Sequence, residues 1–319
     1  MTPGPAARQD GPLALICGGG SALLPAPPEG MTLEDEQALN KALLASGAPI
    51  GVMNAIRKHA SRIKGGRLAA AAHPARVVSL VVSDVPGDDP AEVASGPTVP
   101  SGVTLEKTLE MIRNRGIELP ERIMAHLERG DARAPMPGDD VFARHEVRVI
   151  ASARLSLEAA AAKAEAEGVP AVILSDAIEG EARDVGLVHA IAREGAALGR
   201  PFAPPVVILS GGETTVTLRG QGGRGGRNSE FLLSFCAAVD GEARLAALAA
   251  DTDGIDGSED NAGAFGDDSS AGRMRAAGVD PLAALQANDA WGAFDAVGDL
   301  FVPGPTGTNV NDFRAILVR

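Results

Sequence analysis

The stretch Ser210 to Glu230, SGGETTVTLRGQGGRGGRNSE, constrains this chain more than any other. An apolar run, Val206 to Leu209, leads into Gly211-Gly212-Glu213, and a β-branched stretch follows from Thr214 to Leu218. A loop, Gly220 to Gly226, then precedes the apolar segment Phe231 to Val239. The pattern predicts strand, tight turn, strand, glycine loop and helix. The loop holds five glycines and Arg224, and Arg227 and Asn228 stand where the helix should begin. Glycine lets backbone approach an anion, and a helix start offers it unpaired N–H groups. Arginine adds planar, permanently charged donors suited to phosphate or carboxylate. The plain alternative is a flexible hairpin tip beside an ordinary helix cap.

Gly220, Gly222 and Gly225 also satisfy G-x-G-x-x-G, with Asp240 twenty residues after Gly220. Asp240 falls in a turn-like segment, VDGEA, rather than at the end of a second strand. The arginines also crowd the place where glycine backbone would meet a pyrophosphate, so the match argues only weakly for a dinucleotide.

The 319 residues, 45% hydrophobic, can bury a large core and favour two domains over one. A net charge of −13 argues against nucleic acid and anionic membrane as partners. No apolar run reaches membrane-spanning length, and the start MTPGPAARQDG does not read as a signal peptide. Cys17 and Cys236 are isolated in apolar runs, which predicts reduced, buried thiols in a cytoplasmic protein.

Residues 1–12 read as disordered. Leu13 to Cys17 reads as a buried strand running into Gly18-Gly19-Gly20-Ser21, the way an α/β protein builds an anion site at a strand's carboxyl end. No Gly-Lys-Ser/Thr follows, so this is no Walker loop, and Ser21 lacks the G-x-S-x-G frame of a nucleophile elbow. Thr32 and Asp35 open a helix as a capping-box-like pair. A second helix, Ile50 to about Lys64, carries Arg57, Lys58, Arg62 and Lys64, a dense basic cluster for so acidic a chain.

The next strand, Val77 to Val82, delivers Asp84, Asp88 and Asp89 at its carboxyl end, where carboxylates can hold Mg²⁺ or orient a hydroxyl. Leu105 to Leu127 reads as helical scaffold, and Asp131 to Asp140 as a linker. Beyond it, strand Val147–Ala151, helix Leu155–Glu167, strand Val172–Ser175 and helix Ala182–Leu198 alternate as a parallel sheet would require. Strand Leu245–Ala250 ends in Asp251-Thr252-Asp253, a candidate Mg²⁺ or phosphate-facing edge; the spacing of an EF-hand is absent. The last loop, GPTGTNVNDF, offers Thr308, Asn309, Asn311 and Asp312 to a ligand before a strand at Ala315–Val318.

Six ordered blocks then converge: CGGGSALL, NAIRKHASRIKGGRLA, VVSDVPGDDPAEVASGPT, SGGETTVTLRGQGGRGGRNSE, AADTDGIDG and PTGTNVND. Together they resemble the MOFRL-type glycerate 2-kinases, a family whose members also carry the name hydroxypyruvate reductase from an older assignment. Ser229 and Ile255 depart from the usual Gln and Thr. The resemblance implies an α/β protein of two unlike α/β domains with largely parallel sheets and a cleft between them. The expected domains are 1–135 and 141–319, with a MOFRL region over about 204–319.

It implies ATP and Mg²⁺ as cofactors and phosphorylation of the 2-hydroxyl of D-glycerate. Arg227 matches an arginine proposed as catalytic, and Asp84 or Asp88 would hold Mg²⁺ or the attacking hydroxyl. Gly18, Gly19, Gly20, Ser21, Gly223, Gly225 and Gly226 would lie against phosphate or carboxylate. Arg57, Lys58 and Lys64 would face anionic groups, joined by Glu213, Asn228, Glu230, Thr308, Asn309 and Asn311. Asp84, Asp251 and Asp253 are the metal candidates. Family members carry on the order of a hundred residues before the position of Leu13, with a lysine proposed as catalytic; the expectation is therefore an N-terminally truncated member with impaired activity. The rivals are an NAD(P)-dependent hydroxypyruvate reductase and an inactive ligand-binding paralogue. The expected partner is the small-molecule substrate, with self-association left open.

Overall fold

The computed structural model describes residues 11–130, 132–219, 222–241 and 244–319. The chain divides into two compact units, Met1–Ile150 and Ala151–Arg319. The first contains β1 (Leu13–Cys17), α1 (Gly20–Leu23), α2 (Leu33–Ala45), α3 (Ile50–His59), α4 (Arg67–Ala71), β2 (Val78–Val82), α5 (Leu105–Arg115), α6 (Glu121–Glu128) and β3 (Glu146–Ala151). The second contains α7 (Ala153–Ala166), β4 (Ala171–Glu181), α8 (Ala182–His189), α9 (Ala192–Leu198), β5 (Val206–Thr215), α10 (Arg227–Ala238), β6 (Leu245–Asp251), β7 (Gly263–Asp267), α11 (Ser270–Ala276), α12 (Pro281–Gln286), α13 (Ala290–Asp295), β8 (Leu300–Phe301) and β9 (Asp312–Val318). Among the described residues no helix is long and apolar enough to cross a membrane.

In the first unit the sheet order is β1-β2-β3, with β1 parallel to β2 from Leu13 opposite Val78 to Cys17 opposite Val82. The core is helical: Leu39 and Leu43 of α2, Ile56 of α3, Ile112 of α5, and Ile123 and Leu127 of α6 pack together. Thr32 and Asp35 do form the reciprocal cap of α2. β1 departs from the buried strand expected of it. Leu13 and Leu15 are 60% and 73% exposed, and Cys17 is exposed too. Among the described residues the strand lies at the sheet edge with a neighbour on one side only, which a run of apolar residues cannot reveal.

The expected helix Leu105–Leu127 is two helices. Gly116 ends α5 in a left-handed conformation, and Pro120 opens α6. α3 ends at His59, short of the expected Lys64. The expected linker also belongs to the first unit, apart from Asp131, which lies outside the described residues. Ala132 is buried, and its carbonyl bonds His59 Nδ1 at 2.9 Å and Arg67 Nη2 at 2.8 Å. Residues beyond it return to the sheet as β3, where Glu146 N–H donates to Val77 O. The division therefore falls at Ile150 rather than between 135 and 141.

The second unit is α/β, but its sheet is mostly antiparallel. The order is β4-β5-β9-β6-β7-β8, and only β4 and β5 run parallel. Alternating strands and helices fix the connections, not the direction of the late strand β9, which inserts between β5 and β6 antiparallel to both. The tight turn expected at Gly211-Gly212 is also absent, because β5 runs straight through it. Gly212 is needed for another reason. It sits at φ +128°, and a Cβ there would come within 2.2 Å of Ile178 backbone on β4. α10 is buried on nearly every side, with Phe231, Leu232, Leu233, Phe235 and Cys236 fully enclosed. That burial fixes the helix start, and with it Arg227.

Candidate active site

Arg227 is the first residue of α10, as the sequence predicted. Each of its guanidinium nitrogens meets a different carboxylate. Nε donates to Asp312 Oδ1 at 2.7 Å, Nη1 to Glu213 Oε1 at 2.8 Å, and Nη2 to Asp251 Oδ2 at 2.7 Å. Asp251 and Asp312 are buried, whereas the Glu213 side chain is 56% exposed. Burial disfavours the arginine cation, but Asp312, Asp251 and Glu213 outweigh it and hold the pKa above its ordinary value. Burial raises Asp251 to about 6, against the lowering effect of its bonds from Asp253 N–H and Arg227.

Asp312 is the hub behind Arg227. Its Oδ1 also accepts from Asn228 Nδ2 at 2.8 Å. Its Oδ2 accepts from Thr214 N–H at 3.1 Å, Thr214 Oγ1 at 3.0 Å, and Arg314 Nη2. Arg314 is wholly buried, with its guanidinium carbon 4.9 Å from the Phe231 ring centre. Sequence reading gave Arg314 no role; in the run Phe313 to Val318, otherwise apolar, its charge was the available signal.

The start of α10 is not open to an incoming anion. Asp256, fully buried, accepts from the N–H groups of Asn228 at 2.8 Å and Ser229 at 2.7 Å, and from Ser229 Oγ at 2.6 Å. A carboxylate of the chain thus fills the position expected for phosphate. Burial raises the Asp256 pKa against these bonds. The glycine loop, whose Gly220 and Gln221 lie outside the described residues, is packed rather than loose. A Cβ on Gly226 would come within 2.4 Å of Asp256 backbone, and one on Gly223 within 2.5 Å of Asp289. Arg224 lies over the Trp291 ring at 3.9 Å.

Thr214, Leu218, Gly225, Arg227, Asp251 and Asn288 line a cavity of about 590 Å³, with Gly223, Gly226 and Glu230 also on its wall. Glu230 is buried and held by Arg183 Nε and Asn288 Nδ2, each at 2.8 Å, so it braces the wall rather than awaiting a ligand. Asp253 closes its own turn. Its N–H donates to Asp251 Oδ1 at 3.1 Å, and its Oδ1 accepts from Ile255 N–H at 2.8 Å. Asn309 Nδ2 reaches Asp253 Oδ2 at 3.3 Å, while Asn311 O accepts from Thr252 Oγ1 at 2.8 Å. Thr308 N–H bonds Thr306 Oγ1 within the same loop. This unit therefore gathers Glu213, Arg227, Asn228, Asp251, Asp253, Asn309 and Asp312 around one helix start.

The first unit has a cradle of its own. Gly18 follows β1, and a Cβ on it would strike the Asp84 carboxyl group, which lies directly against the turn. Ser21 Oγ is 2.9 Å from Ser95 Oγ, which donates to Asn54 Oδ1 at 3.4 Å. Asn54 Nδ2 donates to Glu92 Oε2 at 3.0 Å, and Lys58 Nζ to Glu92 Oε1 at 2.5 Å. Arg57 reaches Asn40 Oδ1 at 2.8 Å and Asn54 Oδ1 at 3.2 Å. Ala94 and Ser95 hold left-handed backbones at φ 52° and 61°, strain of the kind that clusters at functional sites. Glu92 and Ser95 were given no role from the sequence, though Ser95-Gly96-Pro97-Thr98 reads as a turn. Gly19 and Gly20 complete the turn entering α1, and Asp88 sits in a loop at φ 56°. Lys64 is elsewhere: it is buried and bonded to Glu36 Oε1 at 3.2 Å.

The metal expectation finds no support in the donor arrangement. Among the described residues no group of three or more His, Cys, Asp or Glu is placed to hold a metal ion. Asp251 is committed to Arg227 and Asp253 to its turn.

The chain is similar to known proteins along most of its length. Residues 5–128 match a domain of unknown function (DUF4147), and residues 206–312 match the MOFRL family. A D-glycerate 2-kinase of Thermotoga maritima is 40% identical over 306 residues, spanning 96% of this chain and 72% of that protein. A putative hydroxypyruvate reductase of Agrobacterium vitis is 54% identical over 308 residues, 96% of this chain and 79% of that protein. The crystal structure of a glycerate kinase from Thermotoga maritima superposes with a TM-score of 0.87 at 39% identity, covering 96% of this chain and 72% of the other. With kinases of this identity and extent on both counts, the chain belongs to the glycerate 2-kinase family.

Proposed function

We propose that this chain transfers the γ-phosphoryl group of ATP to the 2-hydroxyl of D-glycerate, giving 2-phosphoglycerate. The hydroxyl oxygen forms a bond to the γ-phosphorus as the bond to the β–γ bridging oxygen breaks. ADP leaves with that electron pair, and the hydroxyl proton is released. Such a transfer needs positioned cations more than covalent help from the protein.

The observation that carries the reading is Arg227, held from behind by buried Asp251 and Asp312 and covered in front by exposed Glu213. An arriving anion replaces the most exposed of the three partners, because Glu213 regains water most cheaply. The two buried carboxylates keep the guanidinium plane fixed while the exchange occurs. Among the described residues no three-ligand seat for Mg²⁺ is placed, and we propose that the ion would arrive with the nucleotide. The proposed setting is the cytoplasm, and the proposed partner is the small-molecule substrate.

The reductase reading, which the Agrobacterium vitis name keeps in view, is less well supported. β5 ends at Thr215, well before α10, so the glycines do not form a strand-to-helix turn. Asp240, the residue a ribose would need, pairs instead with Arg275 at 2.6 Å. Two assays on one preparation test the matter: ADP release with glycerate and ATP, and NADH or NADPH consumption with hydroxypyruvate. Glycerate-dependent ADP release without nucleotide oxidation is the expected result. Oxidation alone would establish the reductase, and silence in both would mean an inactive binding protein.

A further inference from the structure

We propose a separate anion site in the first unit, beyond the end of α3, that takes a small phosphate-bearing metabolite. The chain as a whole carries 29 Lys and Arg against 42 Asp and Glu. A second cavity of about 590 Å³ is lined by Arg62, Arg67, Arg129, His126 and Ser61, with Glu29 as the one carboxylate on its wall among the described residues. None of these residues lines the Arg227 cavity.

Arg67 is the centre of the argument. Its Nη1 donates to the carbonyls of Lys58 and Lys64, and its Nη2 to that of Ala132 at 2.8 Å. Three carbonyls therefore fix the guanidinium in place without neutralising it. No carboxylate pairs with Arg67 among the described residues, and burial alone pushes its pKa down to about 10. Arg227, similarly sheltered, is surrounded by three carboxylates; Arg67 has the shelter without an ion-pair partner among the described residues. A cation so placed is stabilised by any anion that enters.

The surrounding groups suit phosphate in particular. The exposed side chain of Arg62 meets no carboxylate among the described residues, while its N–H donates to Ala26 O at 2.9 Å and ties the 24–30 segment to the end of α3. His126, buried in the last turn of α6, and Arg129, its C-cap, face the same cavity. Planar guanidinium groups such as those of Arg62 and Arg67 bind phosphate through paired donors. The volume is that of a small-molecule pocket and exceeds what a bare phosphate fills, which favours an ester.

The test is titration calorimetry of the full chain with glycerol 3-phosphate and, separately, inorganic phosphate. Wild type, Arg62→Gln and Arg227→Gln are compared. Arg62 is chosen because its exposed side chain leaves the fold undisturbed. The expected result is saturable binding of the ester, tighter than that of phosphate, weakened about tenfold or more in Arg62→Gln and unchanged in Arg227→Gln. Equal affinity for phosphate and ester would assign the site to the free ion and overturn the metabolite. Affinity weaker than about 1 mM, indifference to Arg62→Gln, or loss in Arg227→Gln would overturn the site itself.

Discussion

Lys58 in the first unit and Arg227 in the second are both sheltered cations in motifs that point to phosphate chemistry, yet they are satisfied differently. Lys58 is 1% exposed and meets one carboxylate, Glu92, whose side chain is 31% exposed. Arg227 meets three, two of them enclosed. An ammonium is a point charge that one partner can neutralise, whereas the guanidinium fork directs donors three ways and holds a planar array. The lysine pair is locally neutral and keeps an escape to water through Glu92. The arginine cluster is over-neutralised and depends on Asp312 for its shape.

The largest test of that difference is Asp312→Ala. It strips buried Arg314 of its carboxylate and Arg227 of its Nε partner, so it should cost about 3–5 kcal/mol in urea unfolding of the second unit. A loss below about 1 kcal/mol would mean the hub is not one. Arg227→Lys comes next. A lysine cannot serve three carboxylates, and kcat for glycerate phosphorylation should fall about a hundred- to thousandfold. Retention of a tenth of the turnover would reduce Arg227 to an ordinary ion-pair partner.

Lys58→Met should be milder, about 1–3 kcal/mol, because Glu92 can turn to solvent once its partner is gone. A cost matching that of Asp312→Ala would erase the contrast between the two units. The smallest effect is a pH dependence. The folded pKa of Asp251 lies near 6, above its ordinary 3.8, so the folded chain binds this proton more tightly than the unfolded chain. Stability from this group is then present at low pH and is lost as pH rises through about 4 to 6. Relative to Asp251→Asn, wild type should lose stability between pH 4 and pH 7 in matched urea melts; an increase would reverse the assignment.

Much of this was legible where the chemistry is local. Arg227 at a helix start and the Thr32–Asp35 cap both follow from neighbours in sequence. What stayed hidden was supplied from far along the chain. Asp256 fills the start of α10 from 28 residues away, Glu92 neutralises Lys58 from 34 away, and Asp312 reaches Arg227 from 85 away. A glycine loop before a helix looks the same whether an outside anion or the chain's own aspartate will occupy it. The exposed face of β1 was hidden for a similar reason: an apolar run does not say how many strands will flank it. The antiparallel sheet was hidden because helix-linked strands constrain one another, while β9 answers to none of them.

The position of β9 also bears on how the second unit is made. β5 and β6 leave the ribosome long before β9, yet each pairs with it rather than with the other. Until Asp312–Val318 emerges, the nascent unit holds two half-sheets, β4-β5 and β6-β7-β8, with facing edges unpaired. The strand that joins them also brings Asp312 and Arg314, so closing the sheet and setting Arg227 in place are one event. Long-range pairings of this kind form slowly and leave open edges meanwhile. Synthesis that stalls between β6 and β9 should therefore yield a chain that is sticky as well as inactive.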